Sequence, residues 1–370
     1  MKSAKAAVYS SYVYRWMLDF VRELSDLFGE VRYYSPGVYG NYPWKEYEQY
    51  VQLVNKKTFF AAAINYLRYR PDVAIILGSE TRFALAMALL SRIIGTSNVL
   101  IVEENRERSF ASVFLRALSR VKRLCVVATH RNADVLVAES EPARDYLLRM
   151  GCAHKRIHVI PHGTNIDDFS PHAKSQQLAN RLGLPRNDGH TCTVLFVGAF
   201  TEYKGADFMA RAILDFPHPQ AVIFIIPSQG SVFSKYEQQL EAMENVYTYS
   251  SLEDGCMPYL YGLADIVVVP SKLCKAVSSD RSPNSLIEAM ACGKAVVGTT
   301  VGGIPAIIGG AGVLIRPNDP AAIIEAILAL AADPQRREML GTRARERAVD
   351  SLNNSRYVRQ IVELWKRAHA

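Results

Sequence analysis

The 370-residue sequence is short of the features that mark several common protein classes. Its six cysteines are scattered, with no CxxC pair and no histidine cluster at metal-ligand spacing. That excludes a disulfide framework and a zinc module, and the thiols read as reduced and cytosolic. The longest uninterrupted apolar run, Phe83–Leu90, has eight residues, far fewer than the ~20 that span a bilayer. Residues 6–14 are interrupted by Ser10, Ser11 and tyrosines, so no secretory signal is read there. No GxGxxG follows the first apolar run, and GxxxxGK[ST] is missing throughout. Nicotinamide dehydrogenases and P-loop NTPases are thereby disfavoured.

What is present is ordinary globular material. With 49% hydrophobic and 21% charged residues, the composition fits a soluble protein, and the length suggests about two domains. The net charge of +7 is uneven: residues 1–172 hold 23 basic against 17 acidic side chains, while the remainder hold 20 against 19. This excess is modest, no nucleic-acid module accompanies it, and the aromatics are not interleaved with the basic cluster. A nucleic-acid partner is not expected.

Short β-rich apolar runs alternate with helical patterns, the signature of parallel sheets with crossover helices. Strands are predicted at Ala6–Tyr9, Val31–Tyr34, Val73–Leu77, Val99–Val102, Val135–Ala138 and Val159–Ile160. A second series follows at Val194–Val197, Ala221–Ile226, Val246–Tyr249, Ile266–Val269, Ala295–Val297 and Val313–Ile315. The breaker-rich passage Pro161–Phe169 separates the two. The fold class is α/β, with two doubly wound Rossmann-like domains. Such sheets bind ligands beyond the carboxyl ends of their strands, which directs attention to the loops after Val197 and Val269.

The most informative stretch runs from Asp280 to Lys294. Ser282 suits an N-cap, Pro283 the first helical position and Gly293 a left-handed helix end. The N–H groups of Asn284, Ser285 and Leu286 would then head a short helix, and a helix N-terminus is an anion site suited to phosphate. Glu288 and Asp280 supply carboxylates on either side of that terminus. Upstream, Gly198 permits close backbone approach and Lys204 offers a cation.

Taken in order, several segments resemble the retaining glycosyltransferases of the GT-B fold, family four (glycosyl transferases group 1). They are Ile160–Gly163 with Phe169, Phe196–Gly198 with Lys204-Gly205, Pro270-Ser271, Asp280 to Glu288, Gly293–Val297, Thr300–Pro305 and Gly312–Leu314. The resemblance implies two domains facing each other across a cleft. Residues 1–170 would form the acceptor-binding domain, with the helix 354–370 packed back onto it through Trp365, and residues 171–353 the nucleotide-sugar domain. It further implies a hinge at Pro161–Phe169 and closure on donor binding. A nucleotide-diphosphate sugar is the implied co-substrate, with no other cofactor and no metal, and the sequence has no DxD pair that could hold Mg²⁺ against a diphosphate. In this reading Lys204 contacts the diphosphate, Glu288 accepts from the ribose hydroxyls, and Asp280 engages the transferred sugar. Asp280, Lys204 and Glu288 are the catalytic candidates. Gly198, Arg281, Asn284, Ser285 and Leu286 complete the donor site.

The sequence also departs from the family pattern. Ala199 stands where an arginine is usual, so Arg281, Lys272 or Lys275 must substitute or donor affinity is lower. Asp280 replaces a glutamate, and Ala306 stands where an acid commonly follows Gly-Gly-x-Pro. Ser11 and Tyr12 replace a glycine-rich loop after the first strand. Glu103, Glu104 and Asn105 stand where a histidine is often found. A glutamate there either handles the acceptor proton or pairs with Arg106 or Arg108.

The acceptor half is rich in tyrosine, with 11 of the 19 before residue 70. Tyr33, Tyr34, Tyr39, Tyr42, Tyr47 and Tyr50, with Trp44, stack on sugar rings, settle at a membrane interface or form a tyrosine-rich surface loop. Ser109–Arg123 reads as an amphipathic basic helix that lies on an anionic membrane, packs on the sheet and leaves a basic patch for an anionic acceptor, or is an ordinary crossover helix with an incidental charge excess. The expected activity is sugar transfer to a glycan, lipid-linked or small-molecule acceptor in cell-envelope or polysaccharide biosynthesis. The place would be the cytoplasm, at the inner face of the membrane. The same architecture also hosts nucleotide-sugar epimerases and non-catalytic nucleotide-sugar-binding subunits.

Overall fold

The computed structural model describes residues 3–10, 15–35, 49–53, 59–77, 82–102, 124, 126–171, 176–184, 191–217, 222–250, 252, 255–273 and 283–369. The chain divides into two compact units, Met1–Gly163 with Asn354–Ala370, and Thr164–Asn353.

The first unit is built on a seven-stranded sheet in the order β3-β2-β1-β4-β5-β6-β7, with every pairing parallel. Its strands are β1 (Lys5–Ser10), β2 (Glu30–Ser35), β3 (Val51–Leu53), β4 (Val73–Leu77), β5 (Ser97–Val102), β6 (Val135–Ala138) and β7 (Ile157–Val159). Successive side chains on a strand point to opposite faces, and both faces are covered. On one face Ala6, Val8, Val73, Ile75, Val99 and Ile101 meet α1 (Arg15–Leu27) and the C-terminal helix Asn354–Ala368. On the other, Ala7, Tyr9, Ala74, Ile76 and Leu100 meet α2 (Phe59–Tyr69), α3 (Arg82–Ile93) and α4 (Glu141–Arg149).

Two of the tyrosines offered for sugar stacking belong to this core. Tyr33 is 0% and Tyr34 1% exposed. Tyr34 stacks on Tyr9 with centroids 5.2 Å apart, and Tyr66 stands edge-on to both. The Tyr33 hydroxyl is within 2.6 Å of Ser10 Oγ. Tyr50 is half-buried and donates to Ser25 Oγ. Tyr39, Tyr42, Trp44 and Tyr47 lie outside the described residues.

The second unit carries a six-stranded sheet, all parallel, in the order β10-β9-β8-β11-β12-β13. Its strands are β8 (Cys192–Leu195), β9 (Val222–Pro227), β10 (Val246–Tyr249), β11 (Ile266–Val269), β12 (Ala295–Thr299) and β13 (Val313–Ile315). The helices are α5 (Gln176–Arg181), α6 (Ala206–Leu214), α7 (Phe233–Glu241), α8 (Met257–Leu263), α9 (Asn284–Ala291), α10 (Ile304–Ile308), α11 (Pro320–Ala331) and α12 (Pro334–Ser351). The last helix, α13 (Asn354–Ala368), returns to the first unit. There Tyr357, Val358, Ile361 and Val362 are buried, and the Tyr357 ring lies 5.9 Å from Phe20. Trp365 is only partly buried, against Phe28 at 5.7 Å, so Tyr357 is the deeper anchor. The ends of the second unit meet where Thr164 bridges Asn353 and donates to the carbonyl of Leu352 at 2.9 Å.

Several strands run one or two residues beyond or short of the sequence-based expectation, and three departures bear on the fold. The short edge strand β3 was not anticipated; it pairs with β2 from Tyr33 to Ser35. The strand β7 begins at Ile157 rather than Val159. The strand β8 ends at Leu195, two residues early, because Phe196 and Val197 already lead into the turn at Gly198, and the Phe196 ring packs edge-on against Phe200 at 5.2 Å. Apolar character outlasts the ladder there because burial continues beyond it.

Candidate donor site

In the second sheet the strand order reverses between β8 and β11, the point at which doubly wound folds place their ligands. The loop leaving β8 begins with Gly198 at φ +111°, a backbone conformation natural to glycine, with nothing within 4 Å of where a β-carbon would stand. Gly198 and Ala199 are both exposed. The chain then turns through a short 3₁₀ segment, Glu202–Lys204, and enters α6 after Gly205.

The loop leaving β11 is fixed against this one. Lys272 donates its backbone N–H to Tyr203 O at 3.1 Å, and Thr299 Oγ1 donates to Ser271 O at 2.8 Å. Leu273 and the Asn318 side chain exchange two hydrogen bonds. The Lys272 ammonium lies 3.3 Å from Asp207 Oδ2 and 5.2 Å from the Phe208 ring centroid. Lys272, one of three residues expected to stand in for the missing arginine, is thus paired with an acid on α6. Lys204 half-buries its stem, with Nζ 5.6 Å from the Tyr203 ring centroid.

The helix α9 begins at Asn284, one residue later than its sequence suggested. Pro283 is extended, at ψ 115°, and acts as the cap. Its carbonyl accepts from Leu286 N at 3.0 Å and Ile287 N at 3.3 Å. The Leu286 N–H is therefore consumed inside the first turn, and its side chain is fully buried. Asn284, exposed, and Ser285, 9% exposed, stand before it at the head of the helix. The other end follows the expected pattern: Gly293 takes φ +68°, Gly293 N donates to Met290 O and Lys294 N to Ala289 O. Those two bonds make a Schellman end.

Glu288, one turn inside α9, is half-buried, and its Oε2 accepts from the Tyr261 hydroxyl at 2.7 Å. Tyr261, on α8, is 0% exposed. Burial, then the charge of Glu288, raises its phenol well above the ordinary value. Burial also raises the phenol of Tyr249, at the end of β10; the nearby Gly198 backbone opposes the rise and the Glu288 charge adds to it. Burial, with Glu288 second, pushes the Cys292 thiol up to about 12. Glu288 and Gly198 thus share Tyr249 as a neighbour. Tyr249 also anchors the adjacent loop, since its carbonyl accepts from Ser228 N at 2.7 Å and Ser228 Oγ at 3.1 Å.

Tyr261 was missed by sequence reasoning because it occupies a buried position in a mostly apolar helix. The available signal was chemical: a fully buried tyrosine hydroxyl needs a hydrogen-bond partner. Asp280, Arg281, Lys275, Ser11, Tyr12, Glu103, Glu104, Asn105 and Ser109–Arg123 lie outside the described residues. Among the described residues, no group of three or more His, Cys, Asp or Glu side chains is arranged to hold a metal ion. No described helix is long and apolar enough to cross a membrane.

Comparison with known proteins agrees with this architecture. Residues 191–333 match the model described as Glycosyl transferases group 1, and residues 15–168 that described as Glycosyltransferase Family 4. Over 226 residues the chain is 30% identical to D-inositol 3-phosphate glycosyltransferase of Xylanimonas cellulosilytica, covering 58% of this chain and 52% of that protein. Over 340 residues it is 28% identical to alpha-maltose-1-phosphate synthase of Mycolicibacterium smegmatis, covering 85% and 84%. The chain spans about half the length of the inositol-phosphate relatives it matches. The solved structure of Anabaena Alr3699/HepE in complex with UDP aligns with a TM-score of 0.74 at 17% identity, covering 99% of this chain and 100% of that one. Two family models on successive parts of the chain, on a pair of doubly wound parallel sheets, place it in family 4, group 1, of the GT-B glycosyltransferases.

Proposed function

We propose that the chain is a retaining glycosyltransferase that moves a sugar from a nucleoside-diphosphate donor to a hydroxyl of a glycan, lipid-linked or small-molecule acceptor, without a metal ion. The observation that carries this reading is the half-buried Glu288 carboxylate, held by Tyr261 on the helix behind the sheet's reversal point. An ionised carboxylate is acceptor-only, the chemistry that suits the vicinal hydroxyls of a ribose. Lys204 and the head of α9 at Asn284 and Ser285 serve the diphosphate, and Asp280 the transferred sugar. The UDP and UDP-glucose complexes of Alr3699/HepE support a uridine donor.

In the reaction the C1–O bond to the diphosphate breaks and C1 bonds to the acceptor oxygen on the same face. The acceptor proton passes to the leaving diphosphate oxygen, so no separate base is required. The transition state is oxocarbenium-like, and negative charge grows on the diphosphate. Positioning of the two substrates and a fixed cation and helix terminus at that charge are the contributions these residues make. Lys204→Ala should lower transfer by roughly 10²–10³-fold, as for a group facing developing charge, and Glu288→Ala should lower it strongly through lost donor binding, whereas Lys174→Ala should change little. Wild-type transfer by either site variant would refute the assignment. The anomeric configuration of the product, and activity in a chelator, test the retaining and metal-independent parts.

Ala199 and the engagement of Lys272 with Asp207 favour one second reading, a nucleotide-sugar-binding subunit without activity. Donor stabilisation without hydrolysis or transfer, across several nucleotide sugars, would establish it; epimerised donor would instead identify an epimerase. The basic excess of the first half supports an anionic or membrane-borne acceptor, reached through Ser109–Arg123 at the inner membrane face during envelope or polysaccharide synthesis. Cosedimentation with anionic but not neutral vesicles is the expected result.

A further inference from the structure

Lys204 sits in a turn that the loop leaving β11 holds on both sides. Just before it, the Tyr203 carbonyl accepts from Lys272 N at 3.1 Å. Just after it, Gly205 packs so closely on the Pro270 carbonyl that a β-carbon would not fit. Two residues further on, in the first turn of α6, Asp207 Oδ2 meets the Lys272 ammonium at 3.3 Å. Lys272 therefore grips the turn twice, with its backbone on one side of Lys204 and its side chain on the other.

A lysine on a free, solvated loop would be a poor brace, because its ion pair orders a long stem for little gain in water. Here the root is anchored. Ser271 O accepts from Thr299 Oγ1 at the end of β12, and Leu273 exchanges two hydrogen bonds with Asn318. The pair is also partly withdrawn from water, with the Lys272 side chain 24% and that of Asp207 18% exposed. The ammonium lies 5.2 Å from the Phe208 ring centroid, a further attraction. Asp207 Oδ1 is buried with no hydrogen-bond partner among the described residues. Loss of the ammonium would leave that carboxylate poorly compensated and favour a shift of the turn toward water.

We propose that Lys272 and Asp207 are positioning residues: their ion pair fixes the turn from Tyr203 to Asp207 so that Lys204 is preset for the donor diphosphate, and Lys272 itself does not bind the donor. This rests on the reading in which Lys204 serves the diphosphate. Asp207 separates a brace from a direct contact. A lysine that met the diphosphate itself would be released by removal of Asp207, and the loss of a nearby negative charge would favour the anion further. A brace would lose its anchor, and binding would weaken.

The test is titration calorimetry on the full-length protein with UDP, GDP and ADP as probes, with thermal unfolding of each variant alongside. Lys204→Ala should weaken nucleotide binding by roughly 10–100-fold, the range for a hydrogen bond to a charged group. Lys272→Met and Asp207→Asn should each weaken it by about fivefold, and together by no more than either alone, because both remove one interaction. In a Lys204→Ala background neither should change binding by more than about twofold. A general loss of stability would act alike in both backgrounds, so dependence on Lys204 is the signature of positioning. Lys272→Arg and Asp207→Glu keep the pair and should recover most of the loss.

Unchanged or tighter binding by Asp207→Asn, with weaker binding by Lys272→Met, would show that Lys272 meets the diphosphate directly and overturn the positioning role. Equal losses from Lys272→Met with and without Lys204, or no loss from either variant, would overturn it too. Wild-type binding by Lys204→Ala would instead refute the diphosphate assignment of Lys204, and the role of the pair would fall with it.

Discussion

Gly205 and Pro270 touch backbone to backbone: a β-carbon on Gly205 would stand 1.7 Å from the Pro270 carbonyl oxygen. Gly205 also takes φ +74°. The contact joins the loops that leave β8 and β11, one residue after Lys204. Gly205→Ala should therefore cost about 3 kcal/mol or more, from left-handed strain and from overpacking against rigid backbone. It should also displace Lys204. The expected outcome is a lower melting temperature together with weaker nucleotide binding; unchanged values of both would show that the loops yield freely.

Arg345 closes several backbone carbonyls at once. Its Nη1 lies 2.8–3.0 Å from the oxygens of Ile166, Phe169 and Ala291, the last at the C-terminal end of α9. Arg345→Met keeps much of the aliphatic stem and removes every donor, at an expected cost of about 2–4 kcal/mol. Urea denaturation should show a lower midpoint with an unchanged m-value. Arg345→Lys should recover only part of the loss, because a lysine ammonium lacks the planar fork.

Alkali should unfold the first unit through its tyrosines. Burial pushes Tyr34 up to about 12, raises Tyr66, and with its neighbouring phenols raises Tyr9 well above the usual value. An unfolded phenol ionises near 10. Stability is therefore fully present below pH ~10 and falls as pH rises through the folded values, by about 1.4 kcal/mol per pH unit for each retained proton. Phenolate absorbance should appear in two steps, the later one coincident with unfolding. On the acid side burial lowers His130 to about 4. Its contribution is present above pH ~6.5 and falls as the pH drops from there toward the folded value.

Tyr357→Ala should cost about 3–5 kcal/mol, as for a large buried aromatic. Its ring is 2% exposed and sits beside Phe20. Hydrogen exchange should quicken in β1, β4 and β5 while β8 and β11 keep their protection. Equal acceleration in both sheets would contradict the division of the core into separate units.

The strands were legible because parallel sheets covered on both faces read as apolar runs, such as Val73–Leu77 and Ile266–Val269, which matched residue for residue. The ends were not, since Phe196 is buried after the ladder has finished. Tyr33 and Tyr34 show the limit for side chains. A tyrosine-rich segment reads alike whether its rings line a ligand or a core, and only the strand β2 decides it. Lys272 could be recognised as a cation, yet its neutralisation by Asp207 depends on a neighbour 65 positions away in the chain. Tyr261 was hidden for the same reason, its partner lying 27 positions further on.

The return of α13 to the first unit has a consequence for synthesis. The helix supplies Tyr357, Val358, Ile361 and Val362 to the cluster that includes Val8, Phe20 and Val99. Those residues are translated after the whole of the second unit. All of Thr164–Asn353 must leave the ribosome first, an interval on the order of 10–40 s at ordinary elongation rates. For that time one face of the first sheet lacks its final cover, while the second unit, contiguous in the chain and closed at Thr164 and Asn353, can finish folding. The first unit is completed only after the second has been made, and its uncovered face is where a chaperone would be needed.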